Sequence, residues 1–295
     1  MIKVAILGSE NSHAWHFAAA LKGKDGSRLF DDVDLIGVYG DTSTEDGRKG
    51  NDEIAKVSAC TRFATHYEDF LNETDAVMVT ARHGGKHFQY ARDYIKKGIP
   101  VWIDKPITGS TEEAVKLASL VKACHAPVCG GSSLVHTDAI RSLSAYAKEN
   151  RSSIIGGHVT APVSMENDYG GFWFYSQHLI QMMTEVFGTD VISVTAQKES
   201  QGVRAVYRYA QFCVTAFFGT GYTISLYRGG YDAVSATITL GEDYFLPELH
   251  AFYKMVKTGR IADRLQDLIA PVFLIDATIT AYEKNREVYV HIPNV

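Results

Sequence analysis

Two stretches of this 295-residue chain carry residue types that could move protons. One is Trp102-Ile103-Asp104-Lys105-Pro106. The other is Tyr169-Gly170-Gly171-Phe172-Trp173-Phe174-Tyr175-Ser176-Gln177-His178. An imidazole with an ordinary pKa of about 6.5 accepts and returns a proton near neutrality. A lysine ammonium stabilises charge developing on an oxygen, and burial brings its pKa down toward the working range. Lys105 and His178, sharing one polar pocket, could therefore move protons at neutral pH, and they are the expected catalytic pair. Phe172, Trp173 and Tyr175 offer flat faces on which an apolar C–H surface could stack, and Trp173 and Tyr175 join Lys105 and His178 as the expected substrate residues. The same aromatics would also serve a core or a dimer interface.

A second chemistry is suggested at the N-terminus. The strand-like Ile2 to Leu7 runs into Gly8-Ser9-Glu10-Asn11-Ser12-His13 and then a helix, the setting in which a helix N-terminus holds a pyrophosphate. A full GxGxxG would need glycine at Glu10 and His13, so only Gly8 of that pattern is present. Backbone N–H groups after Gly8 and the Ser12 hydroxyl could still meet phosphate; alternatively Ser12 simply caps the helix. The next strand ends at Tyr39-Gly40-Asp41, where an acidic side chain would bond ribose hydroxyls and favour NAD over NADP. Thr42, Ser43 and Thr44 would instead tolerate a 2′-phosphate, and Asp41 could equally open a turn. The cofactor expected is NAD or NADP, with NAD preferred.

These residues need a scaffold, and the hydrophobic pattern supplies one. Short apolar strands are expected at Ile2–Leu7, Asp34–Tyr39, Asp75–Thr80, Pro100–Ile103 and from Val128, with helices near Ala14–Leu21, 87–97 (stopped by Gly98) and from Ser110 to Cys124. Ser110 with Glu113 has capping-box spacing. Alternating strands and helices predict an α/β, Rossmann-like, doubly wound parallel sheet. Beyond about Asn150, β-rich runs at Ile154–Ala161, Val191–Lys198, Ala210–Phe218, Thr223–Tyr227 and Val234–Leu240 predict an α+β domain on an open, mostly antiparallel sheet. Helices return at about Pro247–Lys257 and Ala270–Asn285. Two domains are expected, residues 1–127 for dinucleotide and 128–295 for substrate and oligomerisation, with the last helices packing back on the first.

Composition narrows the partners. A net charge of −5 and a pI near 6.1 argue against a nucleic-acid surface. No uninterrupted apolar run reaches the roughly 18 residues of a membrane span, and the N-terminus has no secretory pattern. Cys60, Cys124, Cys129 and Cys213 show neither CxxC pairing nor metal-ligand spacing, so no metal and a reduced, cytoplasmic setting are expected.

Together these segments resemble the glucose–fructose oxidoreductase and inositol dehydrogenase family, the Gfo/Idh/MocA group. The likeness lies in the first strand with Gly8 and Ser12-His13, in Thr80-Ala81-Arg82-His83-Gly84-Gly85-Lys86-His87, in Gly98 through Pro106 with Asp104 where the family has glutamate, and in the tail from Phe252 to Gly259. It implies a Rossmann domain followed by an open-sheet domain, and hydride exchange between nicotinamide and a secondary alcohol of a sugar or polyol. By this resemblance Lys105 lies beside nicotinamide and substrate, His178 is the acid–base residue, and His13, Thr80, His87, Asp104 and Pro106 join Gly8, Ser12, Asp41 and Lys105 along the cofactor. The chain departs from the family at Phe174, where an aspartate precedes the histidine by four residues, and at Gln181, where an acid follows it. Two other readings stay open: a redox-neutral lyase, epimerase or glycosidase with retained NAD, and a non-catalytic dinucleotide- or sugar-binding protein. A homodimer or homotetramer through the second sheet is expected, because that sheet's outer face needs a cover.

Overall fold

The computed structural model describes residues 1–230, 232–260 and 264–294. Its first sheet has six parallel strands: β1 (Ile2–Leu7), β2 (Val33–Tyr39), β3 (Phe63–Ala64), β4 (Ala76–Val79), β5 (Val101–Asp104) and β6 (Val128–Gly131), in the order β3-β2-β1-β4-β5-β6. Val4 to Leu7, Ala76 to Val79 and Val101 to Ile103 are essentially buried, which is why these strands read as unbroken apolar runs. Helices α1 (Ser12–Leu21), α2 (Glu45–Val57), α3 (His87–Lys96) and α4 (Thr111–Cys124) cover the two faces. The Ser110 hydroxyl accepts from the Glu113 N–H at 3.2 Å, as the capping spacing predicts. Helix α2 has no counterpart among the sequence expectations, because only Gly47, Gly50 and Ile54 of it are buried and its apolar stripe is thin. Since β6 pairs with β5, the parallel sheet runs past the boundary expected at residue 127.

The second part holds α5 (Asp138–Glu149), β7 (Ile154–Ala161), α6 (Trp173–Phe187), β8 (Ser193–Glu199), β9 (Gly202–Arg208), β10 (Cys213–Phe218), β11 (Thr223–Arg228), β12 (Asp232–Thr237), α7 (Leu246–Thr258), α8 (Leu265–Lys284) and β13 (Val288–Tyr289). The strand order is β12-β11-β7-β10-β9-β8-β13, antiparallel except where β7 and β10 run together. Alternate residues such as Val194, Val203, Tyr207, Val214, Phe218 and Leu226 face a core built with α5, α6 and α8. The other face is uncovered among the described residues, with Ile155 61% and Tyr227 39% exposed. Strand β9 escapes the sequence pattern because Arg204 and Arg208 break its apolar run.

The last helices tie the two parts together. Leu249, Phe252 and Met255 of α7 pack against Val4, Phe17 and Leu21, while Leu268, Ile269 and Val272 of α8 join Leu117 and Val128. Each such side chain contributes about 1.5–3 kcal/mol on burial, enough to hold the second part against the first. Helix α8 is long and apolar enough to cross a membrane by length and composition, yet 56% of its most apolar window is buried, as in a core helix.

Candidate active site

Strands β1, β2, β4 and β5 end on one edge of the parallel sheet, and the loops leaving that edge carry the polar residues. Gly8 has φ +113, and a Cβ there would lie 2.3 Å from the Ala81 nitrogen, so only glycine lets the first and fourth loops meet. The Thr80 hydroxyl donates to the Gly8 carbonyl at 2.7 Å and is fully buried. Thr80 therefore braces the loop instead of offering its hydroxyl to a cofactor.

Strand β5 ends on Asp104, which is 0% exposed. Its carboxylate accepts from Asn11 Nδ2 at 2.6 Å and from the Lys105 N–H at 2.7 Å, and lies 3.0 and 3.1 Å from His13 Nδ1. Burial opposes its ionisation, but His13, Lys105 and His87 outweigh burial and hold the carboxyl below its usual value. Asn11 caps α1, since its Oδ1 accepts from the His13 N–H at 3.3 Å. Its amide thus grips helix and carboxylate at once. Ser12, expected as a possible cap, is the first helical residue and stands exposed at the helix N-terminus.

Lys105 is 5% exposed, and its Nζ donates to the Phe174 carbonyl at 3.3 Å. The ammonium sits 3.9 Å from the Phe174 ring centre and 4.9 Å from that of Tyr175. Burial pushes it below the usual lysine value, against the pull of Asp104 and with a further push from Arg82. The Arg82 guanidinium lies 4.1 Å over Tyr169 and 5.6 Å from Phe174, so cations and rings alternate across the groove between the two parts. Tyr169 in turn bonds Asp46 at 3.1 Å.

His178 arrives from α6 and is 6% exposed. Its Nδ1 lies 2.7 Å from the Ser132 hydroxyl oxygen, which also accepts from the Leu134 N–H. Burial, then Lys105 and His13, push the imidazole well below its ordinary value. A chain of amides positions Ser132: Gln177 accepts from the Ile107 N–H at 2.9 Å and donates to Gln181 Oε1 at 3.0 Å, which accepts from the Ser132 N–H at 2.8 Å. Gly131, at φ +98, leaves room for this, since a Cβ would fall 2.5 Å from Gln181 Oε1.

The structure thus brings Lys105, Asp104, His13 and His178 within electrostatic reach of one another, with Tyr175 beside Lys105 and His178. Tyr175 and Tyr222 have ring centres 5.9 Å from His178, and Tyr244 lies 6.1 Å from His13. Trp173 does not join them: it lines a different cavity with Met165, Val203, Thr278 and Tyr282, so its expected stacking on substrate is corrected. On a helix, two residues separate Trp173 from Tyr175 by roughly half a turn, which sends their side chains apart. His87 is also corrected. It is fully buried, with Nδ1 2.6 Å from the Pro106 carbonyl and Nε2 2.7 Å from that of Ala81, so it pins two loops together away from the groove. Pro106 contributes that carbonyl. Asp41 accepts from the Ser43 N–H at 3.1 Å in a turn, 3.9 Å from Lys86 Nζ, at the end of β2. Asn11, Ser132, Gln177, Tyr222 and Tyr244 are absent from the sequence expectations. Only Asn11, a good cap residue before an apolar run, carries a local signal for its place.

Residues 2–131 match the family model described as oxidoreductase family, NAD-binding Rossmann fold. No curated protein matches the sequence. Among solved structures, myo-inositol dehydrogenase from Lactobacillus casei, in complex with NAD(H) and myo-inositol, superposes with a TM-score of 0.82 at 12% identity, over 100% of this chain and 98% of that one. Myo-inositol 2-dehydrogenase from Lactobacillus plantarum gives 0.78 at 15% identity over 98% and 99%. Scyllo-inositol dehydrogenase from Lactobacillus casei, with bound cofactor NAD(H) and scyllo-inositol, gives 0.77 at 15% over 98% and 99%. At these identities the likeness is one of fold.

Proposed function

We propose, from the match of residues 2–131 to the Gfo/Idh/MocA model of an oxidoreductase family with an NAD-binding Rossmann fold, that this chain is a nicotinamide-dependent dehydrogenase. Its substrate is a secondary alcohol of a sugar, polyol or related hydroxy compound. The observation that carries the reading is the meeting of Lys105 and His178, from separate parts of the chain, at the carboxyl edge of the parallel sheet, where doubly wound folds bind ligands. Phenols beside His178 and His13 suit a hydroxylated substrate, because Tyr175, Tyr222 and Tyr244 can each donate or accept.

The residues at the sheet edge fit a dinucleotide. Ser12 stands exposed at the start of a ten-residue helix, Asp41 lies two residues beyond β2, and Arg82 and Lys86 supply positive charge. Glu10 replaces the second glycine, but its carboxylate accepts from the Arg82 N–H at 3.3 Å. Asp41 favours NAD over NADP, because a 2′-phosphate would meet its charge. When bound, the nicotinamide supplies the hydride acceptor. The chain's own groups do the rest: Lys105 steadies the substrate oxygen, and a buried imidazole takes its proton.

Residues 1–127 together with β6 form the dinucleotide unit in this reading, and the remainder forms the substrate and oligomerisation unit. The uncovered face of the second sheet, with Ile155 and Tyr227, is where a second copy would pack into a dimer or tetramer. Binding of NAD and NADP by titration, followed by absorbance of reduced nicotinamide with a panel including myo-inositol and scyllo-inositol, tests the function. Lys105→Ala should lower turnover about 100-fold or more with dinucleotide binding retained. Failure of the wild-type protein to bind either dinucleotide would sink the reading.

A further inference from the structure

A carboxylate that orients a histidine is missing from α6, where Phe174 stands, yet a carboxylate–histidine pair exists nearby. Asp104 Oδ2 lies 3.0 Å from His13 Nδ1, and Asn11 and the Lys105 N–H hold that carboxylate in place. We propose that His13, oriented by Asp104, is the acid–base residue of this site, and that His178 serves as a neutral hydrogen-bonding group. The proposal rests on the dehydrogenase reading above.

Three geometric contrasts support it. First, a carboxylate on Nδ1 fixes the tautomer that leaves the Nε2 lone pair free and stabilises the imidazolium once a proton arrives. His178 has only the Ser132 hydroxyl on Nδ1, which cannot supply charge. Second, the buried histidine that is merely structural looks different: both ring nitrogens of His87 face backbone carbonyls, whereas His13 Nε2 has no hydrogen-bond partner among the described residues. Third, the His13 ring lies 6.1 Å centre to centre from Tyr244, so a phenol stands beside the imidazole. The depressed basicity of His178, beside Lys105 and His13, agrees with this division.

In the step itself the O–H bond of the substrate alcohol breaks and its proton bonds to His13 Nε2. The electron pair stays on oxygen and closes the carbonyl as carbon gives up hydride to the oxidised nicotinamide dinucleotide. In the reverse direction His13 returns the same proton. Lys105 takes no part in that bond and steadies the oxygen.

The first test needs no turnover. Protein labelled with ¹⁵N-imidazole histidine, with and without NAD, should show the neutral His13 ring as the Nδ1–H tautomer. Its signal is assigned by its loss in His13→Gln, and the tautomer should shift in Asp104→Asn. An Nε2–H tautomer of His13 in the wild-type protein would overturn the proposal. The second test compares rates with myo-inositol and scyllo-inositol as probes. His13→Gln should lose about 10²–10⁴-fold in kcat, and His178→Gln should lose far less. The reverse pattern would overturn the assignment while leaving the dehydrogenase reading intact. A wild-type protein that binds no dinucleotide would strike the dehydrogenase reading instead, and the tautomer test would still decide the state of His13.

Discussion

The strand side and the helix side of the groove handle charge in opposite ways. At the end of β5, one ionised carboxylate gathers an amide, a backbone N–H and an imidazole, so its burial is offset by three donors. Around α6 the partners are neutral: a serine hydroxyl, two glutamines, a carbonyl and the face of a phenylalanine. A nearby negative charge holds the cation that a proton-accepting group becomes, and Asp104 touches His13 directly while it reaches His178 only through space. The position of that charge, more than the presence of a histidine, separates the two sides chemically.

The most severe way to break this contrast is to remove the charge. Asp104→Asn keeps the shape but can offer an N–H to His13 Nδ1, which selects the wrong tautomer. Turnover should fall by about 10²–10⁴-fold, measured with NAD and the best inositol probe, with dinucleotide affinity little changed. A fall of less than about tenfold would mean the strand side is not where the proton goes.

Restoring a charge on the helix side sharpens the contrast from the other direction. Phe174→Asp puts a carboxylate close to Lys105 Nζ, now 3.9 Å from the Phe174 ring centre. An opposite charge favours the ammonium, so Lys105 should keep its proton to higher pH, and the alkaline limb of the rate profile should move up by about 1–3 units. An unmoved limb would show that Lys105 does not govern it.

A third carboxyl tests how closely the strand side controls charge. Glu248 on α7 is 1% exposed, its Oε1 has no hydrogen-bond partner among the described residues, and burial with Asp104 nearby raises it well above its ordinary value. The site pulls Asp104 toward its ionised form and pushes Glu248 toward its protonated one. A group raised in the folded state costs stability as pH climbs through its unfolded pKa, because the unfolded chain releases the proton first. Glu248→Met should therefore stabilise the protein by about 1–3 kcal/mol at pH 8 and by less near pH 4.5. Urea unfolding at both values measures it, and an equal gain at the two would place the effect in packing alone.

How far the sequence exposes this arrangement follows from which forces act locally. β1, β4 and β5 are legible because strands covered on both faces must be apolar throughout, and α4 because Ser110 caps it. Lys105 and His178 are legible through motif order. Trp173 is misplaced because rotation of a helix that the sequence left undrawn decides which aromatics face the groove. The partners of His13 and His178 come from 91 and 46 residues away, and no local spacing encodes contacts of that kind. Phe174 is visible as a departure, but its consequence is not, since only the fold reveals that Asp104 lies against a different histidine.

The smallest expected effect is also the most discriminating between the two sides. Ser132 holds His178 Nδ1 with a hydroxyl whose oxygen also caps the Leu134 N–H at 3.3 Å. If His178 is a neutral hydrogen-bonding group, Ser132→Ala removes one neutral bond and should cost about 1 kcal/mol, close to a fivefold to tenfold loss of rate. If instead His178 were the proton acceptor, losing the group that sets its ring orientation would cost far more, as removing an orienter from a histidine base does. Paired measurements of kcat on Ser132→Ala and Asp104→Asn therefore weigh the helix side against the strand side directly. A larger loss in the serine variant would reverse the assignment of the two histidines.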